Sequence, residues 1–196
     1  QIHELFGQDI EKLFLWMPTF RSAYYEKTQK ADSEFPIINS ENIVEFNKFL
    51  KKIKVTLVIK THVLQRQLKL FRENLSNILF INNNNLYEAN IFLYELIGRS
   101  DCLISDYSSV IYDYLLLNKP MIFTKDDFES YKIRRGFIND DFIESLPGAS
   151  VQSIGELKEQ IQSVLKIDEF KEKRSAMCKE MNEYSDLEFC SRLFRE

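Results

Sequence analysis

The stretch that most constrains the fold is Ser100 to Phe123, S-D-C-L-I-S-D-Y-S-S-V-I-Y-D-Y-L-L-L-N-K-P-M-I-F. Cys102-Leu103-Ile104-Ser105 is a short apolar run, the signature of a buried strand. Asp106-Tyr107-Ser108-Ser109 breaks it with carboxylate and hydroxyl side chains suited to a helix N-cap. Val110, Ile111, Tyr114, Leu115 and Leu117 then recur at helical spacing, until Asn118-Lys119-Pro120 stops the helix. Met121-Ile122-Phe123 is a second strand. The stretch is one β-α-β unit whose strand-to-helix turn carries two consecutive serines.

That turn suits an anion. The first N–H groups of a helix lack internal partners and carry partial positive charge, and Ser108 and Ser109 add hydroxyl donors. Asp106 is the odd member, because a carboxylate repels an anion. It either caps the helix or hydrogen-bonds a sugar or polyol. Without a Gly-rich loop, the turn alone is read most simply as an ordinary capped helix.

The flanking sequence alternates strand and helix. Leu13-Phe14-Leu15-Trp16-Met17 reads as a first strand, closed by Pro18 and followed by Thr19 and Arg21. Ile43, Val44, Phe46, Phe49 and Leu50 mark an amphipathic helix, with Lys51, Lys52 and Lys54 complementing its C-terminal dipole. Val55 to Ile59 is a β-branched strand ending in Lys60-Thr61-His62, and a helix is expected from Val63 to Glu73. Ile78 to Ile81 is the next strand, Asn82 to Asn85 a loop, and Ala89 to Ile97 a helix. After Phe123 comes a short element around Phe128 and Tyr131, then Lys132, Arg134 and Arg135 before Gly136. Val151 and Gly155 to Leu165 read as helix, as do Phe170 to Glu183 and Leu187 to Phe194. Strands near residues 13, 55, 78, 102 and 121, separated by helices, predict an α/β fold. The expectation is a Rossmann-like parallel sheet with helices on both faces. Thr19, Arg21 and His62 then stand just past strand C-termini, where open parallel sheets bind ligands.

Composition narrows the class. A chain of 196 residues, 44% hydrophobic, can bury a core, and 5 Gly with 4 Pro exclude low complexity. A net charge of −4 gives no reason to expect nucleic acid as a partner. Three cysteines without metal-ligand spacing suit a reducing compartment. No apolar run approaches the ~20 residues of a membrane span. Residues 1–12 read as a linker or the end of an upstream region, and the Gln1 start suggests that an upstream part is missing.

At Ser100 to Tyr114 the sequence resembles the CDP-glycerol glycerophosphotransferase family, the teichoic-acid primases and polymerases with related capsule enzymes. Pro18 to Arg21 matches its P-T-[FW]-R, and Lys60-Thr61-His62 falls at its second-domain histidine. Asp106 to Ser109 is its D-Y-S-S, Asp113 its aspartate, and Asn118 to Phe123 its N-K-P-M-I-F. Asp127 to Phe137 resembles its Y-x-x-x-R-G-F region, and Leu146-Pro147-Gly148 its L-P-G. In this order and spacing the set is specific.

The resemblance implies the C-terminal, donor-binding half of a GT-B-type transferase, occupying residues 13–196, with an N-terminal acceptor domain absent from this chain. Such enzymes move glycerol phosphate, or ribitol phosphate, from CDP-glycerol or CDP-ribitol to a hydroxyl of a polyol-phosphate or glycan acceptor, and CMP leaves. No metal or dinucleotide cofactor is implied. The resemblance implies His62 as the catalytic residue and Thr19, Arg21, Asp106, Ser108, Ser109, Asp113 and Arg135 as substrate-binding. A departing pyrophosphate needs fixed donors, which the serines and arginines supply, and an imidazole can stabilise the leaving phosphate in either protonation state. Asp113 is expected near a polyol or ribose hydroxyl, with a core or capping role as the alternative. Work at the cytoplasmic membrane face, with peripheral lipid contact, also follows from the resemblance.

Three departures bear on activity. Val63 replaces the family's Pro after the histidine, the C-terminal pattern at Asp186 to Arg192 lacks its Gly, and His3 is not in the context of the family's acceptor-domain histidine. Little or no transfer is therefore expected from this chain alone. The rivals are a GT-B glycosyltransferase domain using a nucleotide sugar and a non-catalytic nucleotide-binding domain.

Overall fold

A computed structural model describes residues 10–19, 35, 37–61, 75–135, 145–184, 186 and 188–193. His62, Arg21 and the helix expected over residues 63–73 lie outside the described residues, as does the side chain of Arg135.

Six parallel strands form one sheet: β1 (Lys12–Trp16), β2 (Val55–Lys60), β3 (Ile78–Ile81), β4 (Cys102–Ser105), β5 (Met121–Thr124) and β6 (Ala149–Val151). Their spatial order is β3-β2-β1-β4-β5-β6. The described helices are α1 (Ile43–Lys52), α2 (Asn83–Glu88), α3 (Leu93–Arg99), α4 (Val110–Leu115), α5 (Phe128–Arg135), α6 (Ile154–Val164), α7 (Lys171–Met181) and α8 (Phe189–Leu193). The Rossmann-like expectation holds, with one strand more than the sequence indicated.

The strands are near-continuous apolar runs because both sheet faces are covered. On one face Phe14, Trp16, Leu57, Ile59 and Ile104 pack against Phe46 and Leu50 of α1 and Leu157 and Ile161 of α6. On the other, Leu15, Val58 and Leu103 meet Leu86 of α2, Leu96 of α3, Ile111 and Tyr114 of α4, and Met177 of α7. Each such side chain contributes about 1.5–3 kcal/mol on full burial. The residues α1 buries, Ile43, Phe46, Asn47 and Leu50, follow the helical repeat that the sequence showed.

Three local expectations are corrected. The four asparagines are not a loop: Asn82 caps α2 by accepting from the N–H groups of Asn84 (2.8 Å) and Asn85 (3.3 Å), while Asn85 accepts from the Asn82 N–H (2.9 Å). This reciprocal box starts a helix from residues that favour turns in isolation. The helix expected over Ala89 to Ile97 begins only at Leu93, as α3: Asn90, whose φ of 52° is left-handed, separates it from α2. Val151 closes a strand, β6, instead of opening a helix; α6 begins at Ile154, with the Ser153 hydroxyl accepting the Glu156 N–H at 3.2 Å.

The central β4-α4-β5 unit is fixed from outside itself. Lys119 donates to the carbonyls of Gly98 (2.7 Å) and Ser100 (2.8 Å), partnering backbone acceptors at the end of α3. Arg174 of α7, fully buried, pairs with Asp168 and donates to the carbonyl of Asn118 at 3.2 Å. Asn118 itself turns the chain into β5 with a φ of 47°.

Candidate functional site

The strand order reverses between β1 and β4. From β1 the chain proceeds to β2 through α1, on one face of the sheet; from β4 it proceeds to β5 through α4, on the other. The tails of these two central strands therefore diverge and leave a crevice at their C-terminal ends. Thr19 and Asp106 to Ser109 all stand there, brought together across 87 residues of sequence.

Asp106 is 1% exposed and accepts two hydrogen bonds from Thr19, the backbone N–H at 2.8 Å and the hydroxyl at 2.6 Å. The carboxylate thus spans the two diverging tails, where the sequence left a choice between helix cap and sugar ligand. One rung below, the Ser105 hydroxyl donates to the Met17 carbonyl at 3.1 Å, and the Met17 N–H donates to the Ile104 carbonyl at 2.9 Å. Neither serine of the turn is used as a side-chain cap: Ser109 holds the N-cap position of α4 with no cap hydrogen bond from its side chain, and it is exposed. Ser108 is half-buried. Both therefore flank the crevice with hydroxyls that α4 does not consume.

Tyr107, between Asp106 and Ser108, is a residue whose role the sequence did not indicate. Its ring lies 4.3 Å from that of Tyr131 and 6.2 Å from that of Phe128, and its hydroxyl donates to Asp127 at 3.2 Å. These contacts fasten α5 to the turn. Arg135, the last residue of α5, follows Tyr131 by one helical turn. Asp113, on the exposed side of α4, accepts from the Tyr94 hydroxyl at 3.1 Å, and its negative charge raises the Tyr94 pKa. Asp113 is therefore neither a core residue nor a cap. Among the described residues no group of three His, Cys, Asp or Glu side chains is arranged to hold a metal ion.

A doubly wound parallel sheet with polar side chains gathered at its switch point defines a Rossmann-type domain, a class that commonly binds nucleotides there. Residues 3–196 match the family described as CDP-Glycerol:Poly(glycerophosphate) glycerophosphotransferase, and the chain belongs to that family. It is 31% identical over 168 residues to the teichoic acid poly(ribitol-phosphate) polymerase of Bacillus spizizenii, covering 82% of this chain and 24% of the relative. It is 30% identical over 175 residues to the teichoic acid glycerol-phosphate primase of the same organism, covering 89% of this chain and 40% of the relative. The chain therefore spans less than half the length of either relative. Among solved structures, it is similar to a histidine-to-asparagine variant of the wall teichoic acid polymerase TagF soaked with CDPG. That match has a TM-score of 0.69 at 25% identity and covers 99% of this chain and 45% of the polymerase. No described helix is long and apolar enough to cross a membrane.

Proposed function

We propose that this chain is the donor-binding domain of a polyol-phosphate transferase, taking CDP-glycerol or CDP-ribitol at the switch-point crevice. The observation that carries the reading is the family's D-Y-S-S turn, Asp106 to Ser109, at the C-terminal end of β4 beside the divergent tail of β1. In the reaction an acceptor hydroxyl attacks the polyol-bearing phosphorus. Its P–O bond to the bridging oxygen breaks, the acceptor gives up its proton, and CMP departs with the electron pair. Charge then builds on the CMP phosphate, so fixed donors lower the barrier.

Ser108 and Ser109 supply hydroxyls to the phosphates, Arg21 and Arg135 supply positive charge, and His62 stabilises the departing CMP by hydrogen bond or proton. Asp113 and Tyr94, already hydrogen-bonded at 3.1 Å, bind a polyol or ribose hydroxyl. Thr19 and Asp106 act together: both Thr19 donors face the Asp106 carboxylate, so the pair positions the two tails around the pyrophosphate. The acceptor site belongs to another region of the full-length enzyme, working at the cytoplasmic membrane face. The relatives' greater length supports an acceptor site outside this chain.

The test is calorimetric titration of the chain with CDP-glycerol, CDP-ribitol, CMP and UDP-glucose, repeated on Ser109→Ala and His62→Ala. A CDP-polyol is expected to bind tightest, and each substitution to weaken it about tenfold, the loss of one hydrogen bond to a charged group. UDP-glucose binding as tightly as either CDP-polyol, or affinity unchanged in both variants, would overturn the reading.

A further inference from the structure

Lys60, the last residue of β2, is an ammonium without a counter-ion among the described residues. It pairs with Ile81 of β3, and Ile59 pairs with Trp16, so Lys60 stands level with Met17, the residue after β1. Met17 in turn meets Ser105 of β4 through the Ser105 hydroxyl. Lys60, Met17 and Ser105 thus form a rung across the C-terminal ends of β2, β1 and β4. Strands lie about 4.8 Å apart, which puts the Lys60 backbone about 10 Å from that of Ser105. An extended lysine side chain covers much of that distance.

Alternation along the sheet decides which face Lys60 shares. Val58, two residues before Lys60, and Ile81, the residue paired with Lys60, both belong to the core under α2, α3 and α4. Lys60 caps that core at the edge where α4 begins with Ser109. The other side of the sheet, under α1 and α6, is where Ile59 packs.

Other lysines of the described chain show what a structural role requires. Lys12 pairs with Asp101 at 3.0 Å, Lys54 with Glu11 at 2.9 Å and Lys158 with Glu45 at 2.6 Å, while Lys119 holds two carbonyls. Lys60 is half-buried and has no hydrogen-bond or ion-pair partner among the described residues. Burial pushes its pKa down. A desolvated cation at a ligand-binding edge is destabilising in the empty protein and is compensated when an anion arrives.

We propose that Lys60 is a charge contact to the donor's pyrophosphate, reaching it from the β2 side of the crevice opposite Ser108 and Ser109. The proposal rests on the donor-binding reading above. Its chemistry is that of a compact ammonium with three donors, which suits an anion whose charge is spread over several oxygens.

The experiment measures binding of CDP-glycerol and of inorganic pyrophosphate to the wild-type chain, Lys60→Met and Lys60→Arg, with a thermal melt of each. Lys60→Met should weaken both ligands by about 10- to 100-fold, the range for losing a hydrogen bond to a charged group. Lys60→Arg should retain most of the affinity. Without ligand, Lys60→Met should melt no lower than wild type, because it removes an uncompensated half-buried charge and keeps the side-chain length. Lys60→Met binding both ligands within twofold of wild type would overturn the proposal, as would a wild-type chain that binds neither. If CDP-glycerol bound no tighter than pyrophosphate, yet both depended on Lys60, the anion contact would stand and the CDP-polyol reading would fall. A strong preference for CDP-glycerol that Lys60→Met left intact would overturn the contact alone.

Discussion

Replacing Asp106 with Asn removes the charge from the bridge between the β1 and β4 tails while keeping its shape. The carboxylate accepts the Thr19 N–H at 2.8 Å on one oxygen and the Thr19 hydroxyl at 2.6 Å on the other. An amide turned to accept the Thr19 N–H presents its NH₂ to the Thr19 hydroxyl, which can then accept instead of donate, so both contacts persist without a charged partner. Two charge-assisted hydrogen bonds, worth roughly 1.5–3 kcal/mol each, become neutral ones worth about 0.5–1.5 kcal/mol, in a site 1% exposed. About 2.5 kcal/mol of destabilisation follows. At about 2–4 °C per kcal/mol for a chain of this size, the melting temperature should fall by about 5–10 °C. Thr19→Val removes only the hydroxyl and should cost about half as much. The double variant separates this pair from general damage: if the residues act through one another, the two losses should fall short of adding by about 1 kcal/mol or more. Calorimetric melts of the four proteins give the cycle, and titration with CDP-glycerol on the same samples reads the effect on the crevice. Asp106→Asn melting within about 2 °C of wild type, or strictly additive losses, would refute the claim that this pair ties the tails together.

Two further outcomes can be measured on the same material. A Cβ at Gly148 would lie 2.2 Å from the Met121 carbonyl oxygen and 2.9 Å from its carbon, whereas one at Gly98 meets nothing within 4 Å. Gly148→Ala must therefore displace β6 from β5, a loss of about 3 kcal/mol, while Gly98→Ala within α3 should stabilise by about 0.5–1 kcal/mol. Thermal melts with shifts of the same sign would refute this contrast. Burial raises the Cys102 thiol pKa strongly, while Cys190 is exposed, so a thiol reagent near neutral pH should modify Cys190 in the folded protein and Cys102 only on unfolding. Mass-spectrometric labelling rates that were equal for the two would contradict it.

What the sequence made legible was whatever depends on neighbours in the chain. Five strands were readable because a strand buried on both faces is an unbroken apolar run, as in Leu13 to Trp16 and Val55 to Ile59. β6 escaped because it has three residues, of which only Val151 is buried, and nothing local separates it from a helix start. The Asn82 cap was hidden by composition, since four asparagines read as turn until one is seen to partner another. The complete burial of Arg174 was equally invisible: α7 is charged along its length, and the partner carbonyl of Asn118 lies 56 residues away. The site was half legible. The D-Y-S-S turn and its position past a strand could be read, but the reach of Asp106 to Thr19 depends on β1 and β4 being neighbours, and strand order is not written in local periodicity.

That strand order also explains why a carboxylate is needed at the crevice. β1 pairs with β2 through five residues but with β4 through three, Phe14 to Trp16 against Cys102 to Ile104. The β1–β4 seam is therefore the shorter one, and it lies where the two outgoing chains part toward opposite faces. An aspartate stands at each end of it. At the N-terminal end Asp101 accepts the Leu13 N–H at 2.8 Å while its own N–H donates to the Leu13 carbonyl at 2.7 Å; at the C-terminal end Asp106 accepts from Thr19. The two carboxylates thus extend a short ladder with side-chain acceptors beyond the point where backbone pairing stops. At the lower end this closes the sheet. At the upper end it holds the tails at a fixed separation without filling the space between them, which is what a binding crevice at a switch point requires. A negative group beside an expected anion is then no contradiction: Asp106 is buried beneath the crevice and turned toward Thr19, while Ser109 stands exposed at the start of α4.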